Sequence, residues 1–295
     1  MMYYSLSSDM LRGGIRRVIN KVNHEILRWK VQRAAWNRGT RDSQESPQII
    51  VSLTSYPKRF PMIEMCLKSL CLQSVKPNRI ILWLGNDTSK KEVYSLRERY
   101  SKYGIEVRWD DEKNLRSHKK YFYAMQEFPD DIIITADDDL IYPNDWIQSL
   151  LESYKQNPQC ISARRVHQIT WRQDGSPESY LKWEGEVRVD KPAHNLMATT
   201  GAGALFPPRC FGKECFNINL FMRDAQTADD IWLKAMAIVN DRKVVWAKNK
   251  MPMPTTIDLH QENKLEKVNC EGGGNDVIFR QLCKYYGLSK EDFIN

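Results

Sequence analysis

Short apolar runs alternate with amphipathic segments along the first half of this chain, and this alternation restricts its fold class. Runs rich in isoleucine, leucine and valine predict strands at Ile49–Leu53, Arg79–Leu84, Ile105–Trp109 and Ile132–Ala136. Helical periodicity predicts helices between and after them, at Pro61–Leu72, Lys90–Lys102, Ser117–Gln126 and Asp145–Gln156. Strands and helices that alternate in this way form a parallel, doubly wound sheet with right-handed crossovers. The sequence therefore predicts an α/β fold with a mostly parallel central sheet.

The remaining segments flank this alternating region. Residues 1–47 are predicted to form a basic amphipathic helical extension that ends in a polar linker, and residues 48–295 to form the main domain. A chain of 295 residues can bury one substantial core with an appendage of this kind. The second half of the domain is less regular, with strand-like runs at Cys160–Ala163, Glu186–Asp190 and Lys243–Ala247.

The extension carries most of the net charge. Residues 1–47 hold nine basic and four acidic side chains, which is +5 of the chain's +7. A basic amphipathic helix that includes Trp suits an anionic membrane surface, so residues 9–37 are a candidate peripheral anchor. Packing of the apolar stripe on the main domain or on another subunit is the alternative, and the sequence leaves both open. A helical wheel assigns to this stripe Leu11, Ile15, Val18, Ile19, Val22, Ile26 and Trp29.

Composition also bears on location. No stretch approaches the ~18 uninterrupted apolar residues of a transmembrane helix, and no signal peptide is recognisable at the N-terminus. The seven cysteines contain no Cys-x-x-Cys pair, which is typical of reduced, structural thiols. These features predict a cytoplasmic protein, peripheral on the inner face of the cytoplasmic membrane if the extension binds lipid.

Three consecutive carboxylates, Asp137, Asp138 and Asp139, follow the fourth predicted strand directly. Carboxylates this close repel one another and raise one another's pKa unless a cation joins them. Alternation along a strand points Asp137 and Asp139 the same way. Carboxylate oxygens are the ligands that the hard cations Mn²⁺ and Mg²⁺ bind, so the sequence predicts a divalent cation that also holds substrate phosphates. Capping of the helix near Pro143 is the alternative.

Polar side chains follow the other predicted strands as well. Because doubly wound sheets bind ligands at the carboxyl ends of their strands, these side chains are expected to converge. A ring, hydroxyl groups, a carboxylate and cations fit the base, ribose and phosphates of a nucleotide. The candidate nucleotide-binding residues are Thr54, Ser55, Tyr56, Arg59, Asp87, Lys119 and Lys120.

Two motifs in the second half of the chain complete the candidate site. Asp229 and Asp230 open a predicted helix, and two adjacent carboxylates exceed what capping requires. The run Thr199–Phe206 is built from small residues, as needed where backbone approaches a ligand closely; it contains Gly201, Ala202 and Gly203. Neither G-x-G-x-x-G nor G-x-x-x-x-G-K-[ST] occurs, which removes the main support for a Rossmann dehydrogenase or a P-loop NTPase.

Together these motifs resemble those of metal-dependent glycosyltransferases of the GT-A fold, similar to the family 2 enzymes of bacterial surface polysaccharide synthesis. The resemblance covers about residues 48–247, and it is carried by Ser52–Pro57, Pro129–Pro143 and Ala228–Trp232 in that order. It implies that residues 48–156 bind a nucleotide-sugar donor, a UDP-sugar by default, and that residues 157–295 hold the acceptor, a glycan or a lipid-linked molecule.

The resemblance also implies residue roles. Asp139 with Asp137 would hold Mn²⁺ or Mg²⁺, with Asp138 or Asp137 near the ribose, so that the cation stabilises the departing nucleoside diphosphate. Asp230, with Asp229 as the second candidate, would be the general base that activates the acceptor hydroxyl. One base and in-line attack imply inversion, although the same fold hosts retaining enzymes.

Three further assignments are less directly tied to motifs. His260 is a candidate for completing the metal's ligand set, as a C-terminal histidine does in some related enzymes. The Gly201–Gly203 turn would lie beneath the donor sugar or the acceptor. Trp183 is a candidate for stacking on a sugar face, and a core or surface position is its alternative.

Two other functions compete with this assignment. A sugar-nucleotide nucleotidyltransferase also combines a parallel sheet, aspartates and a metal, but it usually needs a glycine-rich basic loop after the first strand, and Thr54–Arg59 contains no glycine. A nucleic-acid-binding protein would use the basic extension. Its cations flank an apolar stripe and the main domain is close to charge balance, so no nucleic-acid partner is expected.

Overall fold

The computed structural model describes residues 13–248, 252–257, 269 and 272–294. Its strands are Ile49–Thr54 (β1), Arg79–Leu84 (β2), Ile105–Trp109 (β3), Ile132–Asp137 (β4), Leu140–Ile141 (β5), Ile161–Ala163 (β6), Val166–Gln168 (β7), Leu196–Ala198 (β8), Ala204–Phe206 (β9), Val244–Trp246 (β10) and Thr255–Thr256 (β11). Its α-helices are Gly13–Arg33 (α1), Ile63–Cys71 (α2), Lys90–Tyr100 (α3), Lys119–Glu127 (α4), Trp146–Gln156 (α5), Ile218–Asp224 (α6), Asp229–Val239 (α7), Gly274–Tyr286 (α8) and Glu291–Ile294 (α9).

A seven-stranded sheet in the order β10-β6-β9-β4-β1-β2-β3 forms the centre of the protein. Strands β4, β1, β2 and β3 are parallel, as are β6 and β10. Strand β9 runs antiparallel to both β4 and β6, between which it lies. The predicted α/β class with a mostly parallel sheet is confirmed.

The central strands are apolar on both faces because helices cover both sides of the sheet. On one face Ile50, Ile81 and Ile133 pack in one core cluster with residues of α4, α7 and α8. On the other face Val51, Leu82 and Ile134 pack in a second cluster with residues of α2, α3 and α5. The period of two along each strand therefore divides one apolar run between two cores.

One segment differs from the sequence prediction, and a second has a more detailed structure than was predicted. The run Glu186–Asp190 does not form a strand, and its first residue lies in a turn, where Glu186 has φ +53°, a left-handed conformation that a strand does not accommodate. The run Thr199–Phe206, which was predicted to bring backbone close to a ligand, has two parts: its first five residues form a bend and its last three form β9. Small residues there serve close packing between β4 and β6 as well as a turn.

Helix α1 lies against the main domain through a face that the helical wheel did not select. Leu27 and Val31 are buried in a cluster with Ile141, whereas Val18 and Trp29 of the predicted stripe are exposed. Ile19 and Ile26 of that stripe are partly buried, so whether the stripe packs on protein or binds a membrane stays a prediction. None of the helices within the described ranges is both long enough and apolar enough to span a bilayer.

Candidate active site

The acidic turn, Asp137–Asp139, begins at the last residue of β4 and lies at the carboxyl edge of the sheet, beside the end of β1. Parallel pairing of the two strands places Thr54 opposite Asp137. The Tyr142 hydroxyl accepts a hydrogen bond from the Asp137 backbone N–H at 2.7 Å and donates one to the Gly201 carbonyl at 2.7 Å. One buried phenol therefore fixes the acidic turn against the small-residue bend.

Two side chains of the loop after β1 bind the second and third aspartates. The Ser55 hydroxyl donates to Asp138 Oδ2 at 2.5 Å. Arg59 Nη1 lies 2.7 Å from Asp139 Oδ2 and 3.4 Å from Asp138 Oδ1. Burial lowers the pKa of Arg59, but the carboxylates of Asp138 and Asp139 raise it by more than burial lowers it, so the guanidinium stays charged. Burial raises the pKa of Asp138 to about 7, and Arg59 opposes that shift.

Lys120 of α4 joins the two acidic motifs. Its Nζ lies 2.6 Å from Asp137 Oδ1 and 3.0 Å from Asp229 Oδ2, and its side chain is only 3% exposed. Burial lowers the pKa of Lys120, but these two carboxylates raise it above its usual value. Burial alone would raise the pKa of Asp229, yet Lys120 lowers it to about 2. The ammonium therefore keeps Asp229 ionised and ties β4 to the start of α7.

Asp230 lies next to this ion pair in a different electrostatic setting. It accepts a hydrogen bond from the Thr200 backbone N–H at 2.9 Å and another from the Thr200 hydroxyl. Burial and the neighbouring charge of Asp229 raise the pKa of Asp230 to about 6, while Lys120 and Thr200 oppose that shift. Of the two adjacent carboxylates, Asp230 is therefore the one with a pKa suited to accepting a proton near neutral pH.

The bend at residues 201–203 approaches the acidic turn too closely for a side chain. A Cβ on Gly201 would lie 2.0 Å from Asp137 Oδ2. Gly203 has φ +111°, and a Cβ there would lie 2.1 Å from Trp146 Nε1. The same indole N–H donates to the Ala202 carbonyl at 2.9 Å, which holds the bend on α5. Glycine at both positions is thus required by the packing of the bend.

The other predicted nucleotide-binding residues lie around this edge with separate partners. The Thr54 hydroxyl donates to the Trp83 carbonyl at 2.8 Å, and the exposed ring of Tyr56 lies beside Arg59. Lys119 is buried and its Nζ donates to Asn114 Oδ1 at 2.7 Å. Burial lowers the pKa of Lys119, and the carboxylates of Asp87 and Asp138 oppose that shift.

Two predicted residues are not brought into this cluster. Trp183 is 7% exposed, packs against Tyr180 and Phe279, and donates its indole N–H to the Glu178 carbonyl at 3.1 Å. Its ring therefore belongs to the core, which argues against stacking on a sugar. His260 lies outside the described residues, so its candidate role as a ligand stays a prediction.

Sequence reasoning missed three residues that organise the site. Thr200 holds both aspartates of α7, Tyr142 connects the acidic turn to the bend, and Trp146 supports the bend from α5. Thr200 lies inside the small-residue run, which was considered for its backbone alone. Tyr142 and Trp146 closely follow the three aspartates, and buried aromatic residues with polar tips in that position were the available signal.

The carboxylate oxygens at this edge of the sheet suit a hard divalent cation as ligands. Asp137 and Asp139 supply carboxylate oxygens, but Lys120 and Arg59 already pair with one oxygen of each. In the part of the chain that the structure describes, no group of three or more His, Cys, Asp or Glu side chains forms a preassembled cage. Mg²⁺ is usually held by one or two carboxylates together with substrate phosphates and water, so two carboxylates meet that requirement.

Comparison with solved structures finds similar architectures at low sequence identity. A mannosyltransferase, PcManGT from Pyrobaculum calidifontis in complex with GDP-Man and Mn²⁺, is 14% identical with a TM-score of 0.45, over 80% of this chain and 65% of that chain. S. aureus TarS 1-349 in complex with UDP-GlcNAc is 13% identical with a TM-score of 0.47, over 83% of this chain and 74% of that one. GalNAc-T7 with UDP, GalNAc and Mn²⁺ is 9% identical with a TM-score of 0.49, over 81% of this chain and 51% of that one. The chain thus spans less than two thirds of some of these proteins.

The sequence itself matches a known protein family. No curated protein matches the sequence. The family described as "Glycosyl transferase family 2" matches residues 50–211, which is more than half of the chain and includes the acidic turn, the bend before β9 and all of β1 except its first residue. The two competing functions drawn from the sequence gain no support from this match. The chain belongs to glycosyl transferase family 2, as the resemblance in its motifs predicted.

Proposed function

We propose that this glycosyltransferase moves a sugar from a nucleotide-sugar donor to a glycan or lipid-linked acceptor, with inversion at the anomeric carbon. The observation that carries the proposal is the arrangement around Lys120, whose ammonium bridges Asp137 of the acidic turn and Asp229 of α7. A sugar transfer has two requirements. The cation-paired carboxylates of the acidic turn suit the departure of a diphosphate, and Asp230 suits the deprotonation of a hydroxyl. A UDP-sugar is the favoured donor by family analogy alone.

The acidic turn suits the departing diphosphate. Mn²⁺ or Mg²⁺ bound by Asp139 and Asp137 would neutralise the negative charge that develops on the leaving group. Arg59 lies against Asp139 and Asp138 and would contribute a second positive charge from the β1 loop. Ser55 fixes the carboxylate of Asp138, so that this residue keeps its orientation while the donor binds. His260 remains a candidate for an additional metal ligand.

The nucleoside part of the donor would bind along the ends of β1 and β2. Tyr56 is exposed and would offer its ring to the base, and Asp87 is an exposed carboxylate for base or ribose edges. Thr54 and Lys119 line the same edge, and the Lys119 ammonium would approach a phosphate after leaving its Asn114 partner. These assignments follow from position at the sheet edge and from the hydrogen-bonding capacity of each group.

Asp230 would act on the acceptor. With its pKa raised to about 6, the carboxylate is ionised at neutral pH and still basic enough to take the proton of an attacking hydroxyl. Thr200 orients it through two hydrogen bonds, and Lys120 keeps the neighbouring Asp229 ionised. A single base opposite the leaving group gives inversion, and the bend at Gly201–Gly203 would lie under the sugar that is transferred.

A panel of nucleotide-sugars tests the proposal, with release of nucleoside diphosphate, on transfer of the sugar to an added glycan acceptor or to water, as the signal and with Mn²⁺, Mg²⁺ or EDTA present. We expect release from one donor class only, and only with a divalent cation. Asp230→Asn should bind that donor normally and lose turnover. Asp130→Asn, at the opposite end of β4, is the matched control and should keep both properties. Release with none of the nucleotide-sugars, or undiminished turnover in Asp230→Asn, would contradict the proposal.

A further inference from the structure

Helix α1 has two apolar sides, and only one of them packs on the domain. Asn23, Leu27 and Val31 are buried and form the packed side. On the other side Val18 is 63% exposed, Val22 42% and Trp29 49%. With 3.6 residues per turn, these three side chains project within roughly 40° of one another. We refer to Val18, Val22 and Trp29 as the outer face of α1.

The outer face is held in place by polar contacts. The Arg28 guanidinium donates to the carbonyls of Ile257 at 2.6 Å and Thr256 at 2.8 Å, and the buried Lys68 ammonium donates to the Gln32 carbonyl at 2.9 Å. Rolling the helix to bury the outer face would break these bonds and expose Leu27. The outer face of α1 therefore stays exposed, because the helix cannot turn it toward the domain without losing these contacts.

The charges around the outer face indicate which kind of partner it can bind. Lys21 and Arg33 are exposed beside it, with the Arg33 guanidinium 4.9 Å from the centre of the Trp29 ring, while Glu25 pairs with Arg28. Residues 1–47 as a whole carry nine basic and four acidic side chains. Two copies that met through this face would bring like charges together, since a twofold interface joins the same patch on both subunits. An anionic surface would neutralise them instead.

From these observations we propose that the outer face of α1 docks the enzyme on an anionic lipid surface. Trp and aliphatic side chains would enter the headgroup boundary, and the flanking Lys21 and Arg33 would contact lipid phosphates. A basic segment with an exposed apolar stripe and an interfacial Trp matches this partner better than it matches nucleic acid, which offers no apolar phase for Val18 and Val22.

Docking would hold the edge of the sheet that carries the acidic turn near the lipid. Helix α1 contacts α2 and the β5–β11 pair. Strand β5 begins at Leu140, directly after Asp139, and the Cys66 thiol of α2 donates to the Asp137 carbonyl at 3.3 Å. The docking surface and the acidic turn are thus connected through elements in direct contact. That the acceptor is lipid-linked rests on the proposed function; docking itself does not, so the two can fail separately.

Vesicle flotation of the full-length protein tests the proposal. The wild type should float with phosphatidylcholine vesicles that contain phosphatidylglycerol, not with phosphatidylcholine alone, and flotation should weaken as salt rises. Val22→Ser/Trp29→Ser should lower the partition coefficient at least tenfold, and Lys21→Glu/Arg33→Glu should abolish the preference for anionic vesicles. The melting temperature of each variant, measured alongside, verifies folding.

A matched control lies on α8. Val277 and Tyr285 are 48% and 55% exposed, and Arg223 stacks over the Tyr285 ring as Arg33 does over Trp29. Val277→Ser/Tyr285→Ser should float like the wild type. Equal flotation of the α1 and α8 variants, or no flotation of the wild type, would overturn the proposal. So would retention by duplex DNA, or a dimer lost in Val22→Ser/Trp29→Ser, without any vesicle binding.

Discussion

Replacing Lys120 by Met is the change that most severely tests the electrostatics of the site. Methionine keeps an unbranched side chain that is one atom shorter and carries no charge, so Asp137 and Asp229 lose the ammonium that lies 2.6 and 3.0 Å away. Removing one partner of a buried ion pair typically costs ~3–5 kcal/mol, because the other charge is left uncompensated. For a chain of this size, that loss corresponds to a fall in melting temperature of roughly 5–8 °C.

Urea unfolding followed by circular dichroism measures this loss. Lys155→Met, on the exposed side of α5, is the control and should stay within about 0.5 kcal/mol of the wild type. Adding Asp229→Asn to Lys120→Met removes one of the stranded carboxylates and should restore roughly 1–3 kcal/mol. A Lys120→Met protein as stable as the Lys155→Met control would refute the view that this ammonium holds the two motifs together.

The pH dependence of the difference in stability between the wild type and Lys120→Met follows from the shifted pKa of Asp229. In the wild type Asp229 has its pKa lowered to about 2, so its stabilising effect is complete above its unfolded pKa of ~3.9 and is lost as pH falls through about 2. In Lys120→Met the same carboxylate lacks its cation, its folded pKa rises, and stability is lost as pH increases. The gap between the two proteins should therefore be widest near neutral pH and narrow toward pH ~4.

Three further predictions concern the bend and the base. Gly203→Ala should lower the free energy of unfolding by roughly 2–4 kcal/mol, because its Cβ would meet the Trp146 indole at 2.1 Å in a backbone with φ +111°; an unchanged urea midpoint would contradict this. Gly201→Ala should displace the Asp137 carboxylate and weaken donor binding more than stability, as compared by calorimetry and thermal melting. Because the pKa of Asp230 is raised to about 6, kcat/KM should fall as pH drops below about 6, and a flat profile from pH ~5 to ~8 would remove Asp230 as the base.

The first half of the fold could be predicted from sequence because its signals are local. Strands β2 and β3 match the predicted bounds, and β1 and β4 extend one residue further. Helix α4 starts two residues later than predicted because Arg116–His118 forms a 3₁₀ turn first. The second half was harder because β7, β8 and β9 have three residues each, and such strands are defined by distant partners rather than by their own pattern.

The site was predictable in its carboxylates and less so in its cations. Acidic pairs at strand and helix ends stand out in a sequence, and Asp137 and Asp229 do meet at one edge. Lys120 was expected to bind donor phosphate, a role that stays a prediction, yet its described partners are those two aspartates. Which cation faces which carboxylate depends on how α4 packs on β1 and β4, and no local pattern encodes that packing. The roles of these residues, and the boundaries of residues 1–47, 48–156 and 157–295, likewise stay predictions.

Calorimetric titration of the donor identified by the nucleotide-sugar panel tests whether the acidic turn holds a divalent cation for donor binding. We expect the wild type to bind this donor at least tenfold more tightly with Mn²⁺ than with EDTA, and Asp139→Asn to remove the difference while the Asp130→Asn control keeps it. Equal donor affinity with and without the cation, or an Asp139→Asn protein that responds to Mn²⁺ like the wild type, would contradict this expectation.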